Sequence, residues 1–240
     1  MDNNIIIRFN EIGSTSDEAR KLALSGAPHG TIIIAETQTG GRGRGRKKFF
    51  SPRGGIYFSI LLHADKMKIT GAAPATIFAA VLVCEAIEKI CGFEVSVKWV
   101  NDILLNEKKV CGILAESVND AIIMGIGINF ETRPEEFPEE IKSTAGSLYP
   151  SGAPCGAKEE LIGEIINAFL RNDPRGDAEI FREYKKRLSM LGAQIIVTAG
   201  KETFAATALD VDADGALVVG TDFGETRRLI SGEVTVAGPR

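Results

Sequence analysis

Apolar positions along the chain change their period several times, and each change marks an element. Residues 5–9 and 31–35 are short β-branched runs that read as strands, the second apolar on both sides as in a buried strand. Between them Ser14, Thr15 and Ser16 offer capping oxygens to a helix over 17–25, which Gly26 stops. Over 55–62, Ile56, Phe58, Ile60 and Leu62 alternate onto one face of a strand. The spacing then lengthens to that of a helix over 75–91, where Ile77, Val81, Cys84, Ile87 and Ile90 form a stripe that should cover one sheet face. Strand patterns return at 95–99, 110–115 and 121–128, with Asn106, Glu107 and Lys108 as a hairpin turn, so a mixed or largely antiparallel sheet is expected.

Residues 131–154 are rich in Pro, Glu, Ser and Gly and read as a surface excursion. Helical spacing resumes over 159–170, with Leu161, Ile162, Ile165, Ile166 and Phe169 on one stripe, and again over 178–190. Past Leu191, short apolar runs alternate with turns at Gly200, Asp214-Gly215 and Gly224, which predicts a small β-barrel or sandwich of about five strands. The expected architecture is α+β: a domain over 1–190 with a mixed sheet flanked by helices, and a small β domain over 191–240.

Composition narrows the chemistry. With 240 residues, 44% of them hydrophobic, the chain can bury a large core. Its net charge of −4 argues against a general polyanion binder, so phosphate chemistry must be local. No cationic leader with an apolar run opens the chain, and no stretch is apolar for long enough to span a bilayer, which points to the cytoplasm and away from membranes. Cys84, Cys91, Cys111 and Cys155 form no CxxC pair, and only His29 and His63 could join them, which gives little support to zinc or a Cys/His nucleophile.

The most informative stretch is 36–50, where Arg42, Arg44, Arg46, Lys47 and Lys48 sit among Gly40, Gly41, Gly43 and Gly45. Backbone amides and cationic heads in such a loop can surround phosphates. By itself the stretch also suits a solvated hairpin tip or an RGG-like segment touching RNA, and it has neither P-loop nor Rossmann spacing. If it does close over a nucleotide, its glycines predict that it is mobile in the free protein.

The loop is followed in order by KWVND at 98–102, KVCGIL at 109–114 and GIGIN at 125–129, with Ser14 and Thr15 upstream. In this combination the chain resembles the biotin protein ligases, whose segments have the forms GRGRxGRxW, KWPND, KxxGIL and GxGIN. The resemblance runs from the Ser-Thr turn to Gly232-Glu233-Val234. It implies a catalytic domain similar to the core of class II aminoacyl-tRNA synthetases followed by a small barrel. The implied activity forms biotinyl-AMP from biotin and ATP with Mg2+, then passes biotin to a lysine on the carrier domain of a biotin-dependent carboxylase.

The resemblance also implies roles for residues. Ser14, Thr15 and Ser16 would hydrogen-bond the ureido ring of biotin, with Gln38 near its bicycle and carboxylate. Arg42, Gly43 and Arg44 match the loop that folds over biotinyl-adenylate, and Lys109 matches the lysine bridging the substrate carboxylate and α-phosphate. That reaction requires such a cation, because a carboxylate attacking a polyphosphate brings like charges together. Asn101 and Asp102 sit where the family orients the nucleotide and its metal, Asn129 matches the residue that reads adenine, and Gly112, Gly125 and Gly127 would let strands approach the ligand. Trp99 reads as core packing.

The chain departs from the family pattern in two places. Arg46 falls on a conserved glycine, Lys47 on an arginine and Phe49 on the tryptophan that covers the ligand, so Phe49 offers less stacking area. Val100 replaces a proline, which should loosen the turn before Asn101. The matched segments begin within about a dozen residues of Met1, so no DNA-reading domain is expected. Exposed sheet edges allow a homodimer. The rival readings are a lipoate or octanoate ligase and a non-catalytic RNA-binding module.

Overall fold

The structure is a computed structural model that describes residues 5–45, 47–67, 71–171 and 176–236. Its first half runs β1 (Ile6–Ile12), α1 (Thr15–Leu24), β2 (Thr31–Gln38), β3 (Ile56–His63), α2 (Ala64–Met67) and α3 (Ala72–Cys91). A meander of β4 (Ser96–Lys98), β5 (Asp102–Leu105), β6 (Lys108–Val118) and β7 (Ala121–Ile128) follows. Then come α4 (Glu139–Lys142), α5 (Ala157–Leu170) and α6 (Asp177–Arg187). β8 (Gln194–Ala199), β9 (Glu202–Val211), β10 (Leu217–Thr221), β11 (Thr226–Leu229) and β12 (Glu233–Val236) end the chain.

The seven-stranded sheet has the order β1-β2-β3-β7-β6-β5-β4. Only its β1–β2 pair is parallel, because α1 returns the chain to the same end before β2 begins. Strand alternation sorts side chains onto two faces. Ile32, Ile34, Phe58, Ile60, Met124 and Ile126 point to the face covered by α3, α5 and α6, and these form the main core. The opposite face receives Ile33 and Ile123, which pack with Ala19 of α1. Because α1 is short, it leaves Gly112 and Leu114 of β6 and Gly125 and Gly127 of β7 open to a cleft on that side.

Three expectations change. Residues 102–105 were not expected as a strand, since Asn101-Asp102 looks like a turn; pairing with β6 makes them one. Residues 131–154 are not wholly a surface excursion. Phe137 and Leu148 are buried, and the backbone at Thr144 and Gly146 bonds both sides of Lys109 at 2.8 and 2.9 Å, so this segment extends the sheet beside β6. The C-terminal five strands run β11-β10-β9-β8-β12, and no pairing joins β11 to β12 among the described residues, so the ring stays open.

Candidate functional site

A cleft of ≈ 750 Å³ lies on the uncovered sheet face, bounded by the 39–50 loop, the N-terminus of α1 and the start of β12. Ligand sites for small molecules have this size. Its floor is built by register. Asp102, Gly112, Gly127 and Tyr57 stand opposite one another across β5, β6, β7 and β3, and Leu114, Gly125 and Ser59 form the next row.

The ladder between β5 and β6 shifts at Val110: Ile103 faces Cys111, but Leu104 faces Lys109. This one-residue bulge reverses the alternation. Val110 joins the core, while Lys109 turns to the cleft side with Gly112.

Space above two of the floor glycines is taken by one aromatic ring. A Cβ on Gly127 would stand 2.6 Å from Phe49 Cε1, and one on Gly112 would stand 3.0 Å from Phe49 Cε2. The Phe49 ring therefore takes up the space above both glycines, with Lys109 Nζ 5.7 Å from its centroid. Lys109 also pairs with Asp102 at 2.6 Å.

One end of the cleft is a buried polar network. Ser59 Oγ donates to Thr15 Oγ1 at 2.9 Å and lies 3.1 Å from Ser16 Oγ. Thr15 N–H donates to Gln38 Oε1 at 2.9 Å, and Gln38 Nε2 donates to Ser51 Oγ at 2.9 Å. Gln38 is thus held with its amide orientation set from both sides, as a reader of a polar ring requires.

The loop is anchored by its cations. Arg42 forms two 2.7 Å bonds to Glu116 and one of 2.9 Å to Asp17. Arg44 Nη1 reaches Asn101 Oδ1 at 3.3 Å, and its guanidinium stands 5.7 Å from the Trp99 ring centroid. Trp99 is buried and donates Nε1–H to Gly215 O at 2.9 Å, which is the core role expected of it. The Trp99–Val100 peptide is cis. Two bonds hold this turn: Tyr184 OH donates to Val100 O at 3.0 Å, and Asn101 Nδ2 donates to Ile113 O at 2.9 Å.

Thr15, Ser16, Gln38, Arg42, Gly43 and Arg44 line the cleft, as do Phe49, Asn101, Asp102, Lys109, Gly112 and Gly127. Ser14 and Asn129 do not. Ser14 is buried as the N-cap of α1, its Oγ accepting from Asp17 N–H at 3.4 Å. Asn129 is buried and donates Nδ2–H to Lys109 O and Gly146 O, so its side chain joins the loop at 144–146 to β6. Arg46 lies outside the described residues.

Ser51, Ser59, Glu116 and Glu233 were not foreseen. Ser59 carried a signal, a small polar residue inside the apolar run of β3; the others depend on partners in other parts of the chain. Among the described residues no three metal-ligating side chains gather, and no helix is long and apolar enough to cross a membrane.

A cleft that is polar at one end and cationic along its middle defines a protein that handles a small molecule together with an anionic chain. Residues 9–129 match the biotin/lipoate A/B protein ligase family, and residues 190–236 match the biotin protein ligase C terminal domain. The bifunctional ligase/repressor BirA of Bacillus subtilis is 33% identical over 232 residues, covering 91% of this chain and 70% of that protein. The biotin–[acetyl-CoA-carboxylase] ligase of Paracoccus denitrificans is 30% identical over 229 residues, covering 86% of this chain and 90% of that one. The biotin protein ligase from Aquifex aeolicus in complex with biotin and ATP superposes with a TM-score of 0.80 at 30% identity, covering 97% and 98% of the two chains. The chain belongs to the biotin protein ligases.

Proposed function

We propose that this chain forms biotinyl-AMP at the cleft floor beside Lys109 and then transfers biotin to a lysine of a biotin carrier domain. The activity class follows from family membership. The observation that carries the residue assignments is the convergence of Lys109, from the β5–β6 hairpin, and Arg42 and Arg44, from the 39–50 loop, on one cleft.

Thr15, Ser16 and Gln38 would receive the ureido ring, with Ser59 and Ser51 fixing their hydroxyl and amide orientations. Ser14 contributes as the cap that positions Thr15 and Ser16. The biotin carboxylate attacks the α-phosphorus of ATP, a carboxylate–phosphorus bond forms, and the bond to the β-phosphate oxygen breaks to release pyrophosphate. Lys109, Arg42 and Arg44 neutralise the charge gathered at phosphorus. Each now holds a carboxylate or carbonyl partner, so substrate anions exchange for internal ones at small reorganisation. Phe49 offers a face for stacking, and Asn129 supports the adenine region through the backbone of Lys109 and Gly146.

Magnesium needs one or two carboxylates plus phosphate oxygens and water, a demand that Asp102 fits once a nucleotide is present. The ion would supply further charge neutralisation on the phosphates. In the second half-reaction the carrier's lysine amine attacks the acyl carbon and AMP departs; the protein needs no nucleophile of its own.

The reading is tested by incubating the protein with ATP and biotin, lipoate or octanoate separately, and measuring pyrophosphate release. Biotin alone should drive it. Lys109→Ala and Arg42→Ala should each slow release by roughly 100-fold or more, the usual cost of a lost charge stabiliser. Wild-type rates from both variants would refute the site assignment.

A further inference from the structure

The C-terminal sheet meets the cleft at the β8–β9 turn and at the turn before β12. The turn before β12 brings Gly232 O within 3.5 Å of Arg44 Nη2, and the carboxylate of Glu233 to 2.5 Å from Lys47 Nζ. Lys98 and Arg44 add their fields at the same carboxylate. The Lys47 hydrogen bond first, and these charges after it, hold Glu233 below the usual carboxylate range. All four side chains line the cleft. Three cations around one carboxylate are an excess of positive charge. The Glu233 side chain is 62% exposed, and a pair that open to water holds two domains together only weakly. The arrangement suits a group with several negative charges.

Contacts place this cluster relative to the reacting atoms. Lys109 pairs with Asp102; the neighbouring Asn101 meets Arg44; Arg44 reaches Gly232; and Glu233 follows. These contacts link Lys109 to the cluster in a line. On the reading that Lys109 holds the α-phosphate, the β- and γ-phosphates extend along this line. We propose that Glu233 is an internal stand-in for pyrophosphate: it occupies the counter-charges of the leaving group in the free enzyme, yields them to the β- and γ-phosphates of ATP, and reclaims them as pyrophosphate departs. Glu233 forms no covalent bond in this exchange. Its return competes with pyrophosphate for Lys47, Lys98 and Arg44, which speeds release and opposes re-formation of ATP from the adenylate.

The test uses the full chain with Glu233→Gln and Glu233→Asp, reading the KM for ATP, the KM for biotin and inhibition by added pyrophosphate. Glu233→Gln should lower both the KM for ATP and the inhibition constant of pyrophosphate by roughly three- to five-fold, the upper range for one exposed charge pair. The KM for biotin should stay unchanged, and Glu233→Asp, which keeps the charge, should remain near wild type. A KM for ATP that is unchanged or raised in Glu233→Gln, or a parallel rise in the KM for biotin, would overturn the proposal and leave Glu233 as a tether between sheets. Lys109→Ala separates the two levels. Loss of pyrophosphate release in Lys109→Ala with no ATP effect in Glu233→Gln rejects the stand-in alone, whereas full release in Lys109→Ala rejects the site on which it rests.

Discussion

Gly127 has a neighbour where most residues carry a Cβ. Phe49 Cε1 would be 2.6 Å away, and the floor beneath is backbone that cannot retreat without breaking the β6–β7 ladder. Gly127→Ala should therefore push Phe49 off the floor at a cost of about 1–3 kcal/mol, the range for overpacking a closed site. The fold should survive, with a raised KM for biotin or ATP; unchanged kinetics would show that the ring is not part of the binding surface. The GIGIN segment made these glycines visible in the sequence, but their reason was not, since Phe49 is far along the chain. Asn129, in the same segment, resembles an adenine reader by its motif; its side chain is buried and bonds the backbone carbonyls of Lys109 and Gly146, which no local pattern announces.

At the scale of elements, the site depends on how β3 meets α1. Ser59 is fully buried and ties α1 to β3 through the hydroxyls of Thr15 and Ser16. Ser59→Ala should leave those hydroxyls short of a partner, destabilising the protein by about 1–3 kcal/mol in thermal or urea unfolding. It should also weaken biotin binding measured by calorimetry, because Thr15 and Gln38 lose their fixed orientation. Unaltered affinity would mean that the network supports the fold and not the ligand. The pattern of apolar residues predicted β3 and α1 well, with boundaries a few residues off, since each is long and periodic. It missed β5, which is four residues long and is a strand only because β6 pairs with it.

Across the whole molecule, polar contacts join the C-terminal sheet to the rest of the fold, those of Gly232 with Arg44 and of Glu233 with Lys47 among them. Trp99 Nε1–H donates to Gly215 O, and Lys185 pairs with Asp210 at 2.7 Å. Trp99→Phe keeps most of the packing but orphans a buried carbonyl, so a loss of about 1–3 kcal/mol in unfolding free energy is expected. The core itself can be probed through its thiols. Burial pushes Cys84 up to about 12 and Cys111 well above its ordinary value, whereas Cys155 is exposed. Brief treatment with iodoacetamide at pH 8 should label Cys155 and spare Cys84 and Cys111 until denaturant is added, as mass spectrometry of the peptides would record. Early labelling of Cys84 would contradict the packing of α3 on the sheet.

By itself the sequence determined the order of long elements, the family and the side chains that carry charge into the cleft. Those features are local: a period of two or 3.6, or a short motif read in place. The tertiary structure alone decided which face each side chain takes and which opposite charge it meets. Lys109 faces the cleft because a bulge at Val110 reverses the strand's alternation, and Arg42 is aimed by Glu116, seventy-four positions away. Register and long-range pairing arise from the packed sheet, and no local pattern of residues encodes them.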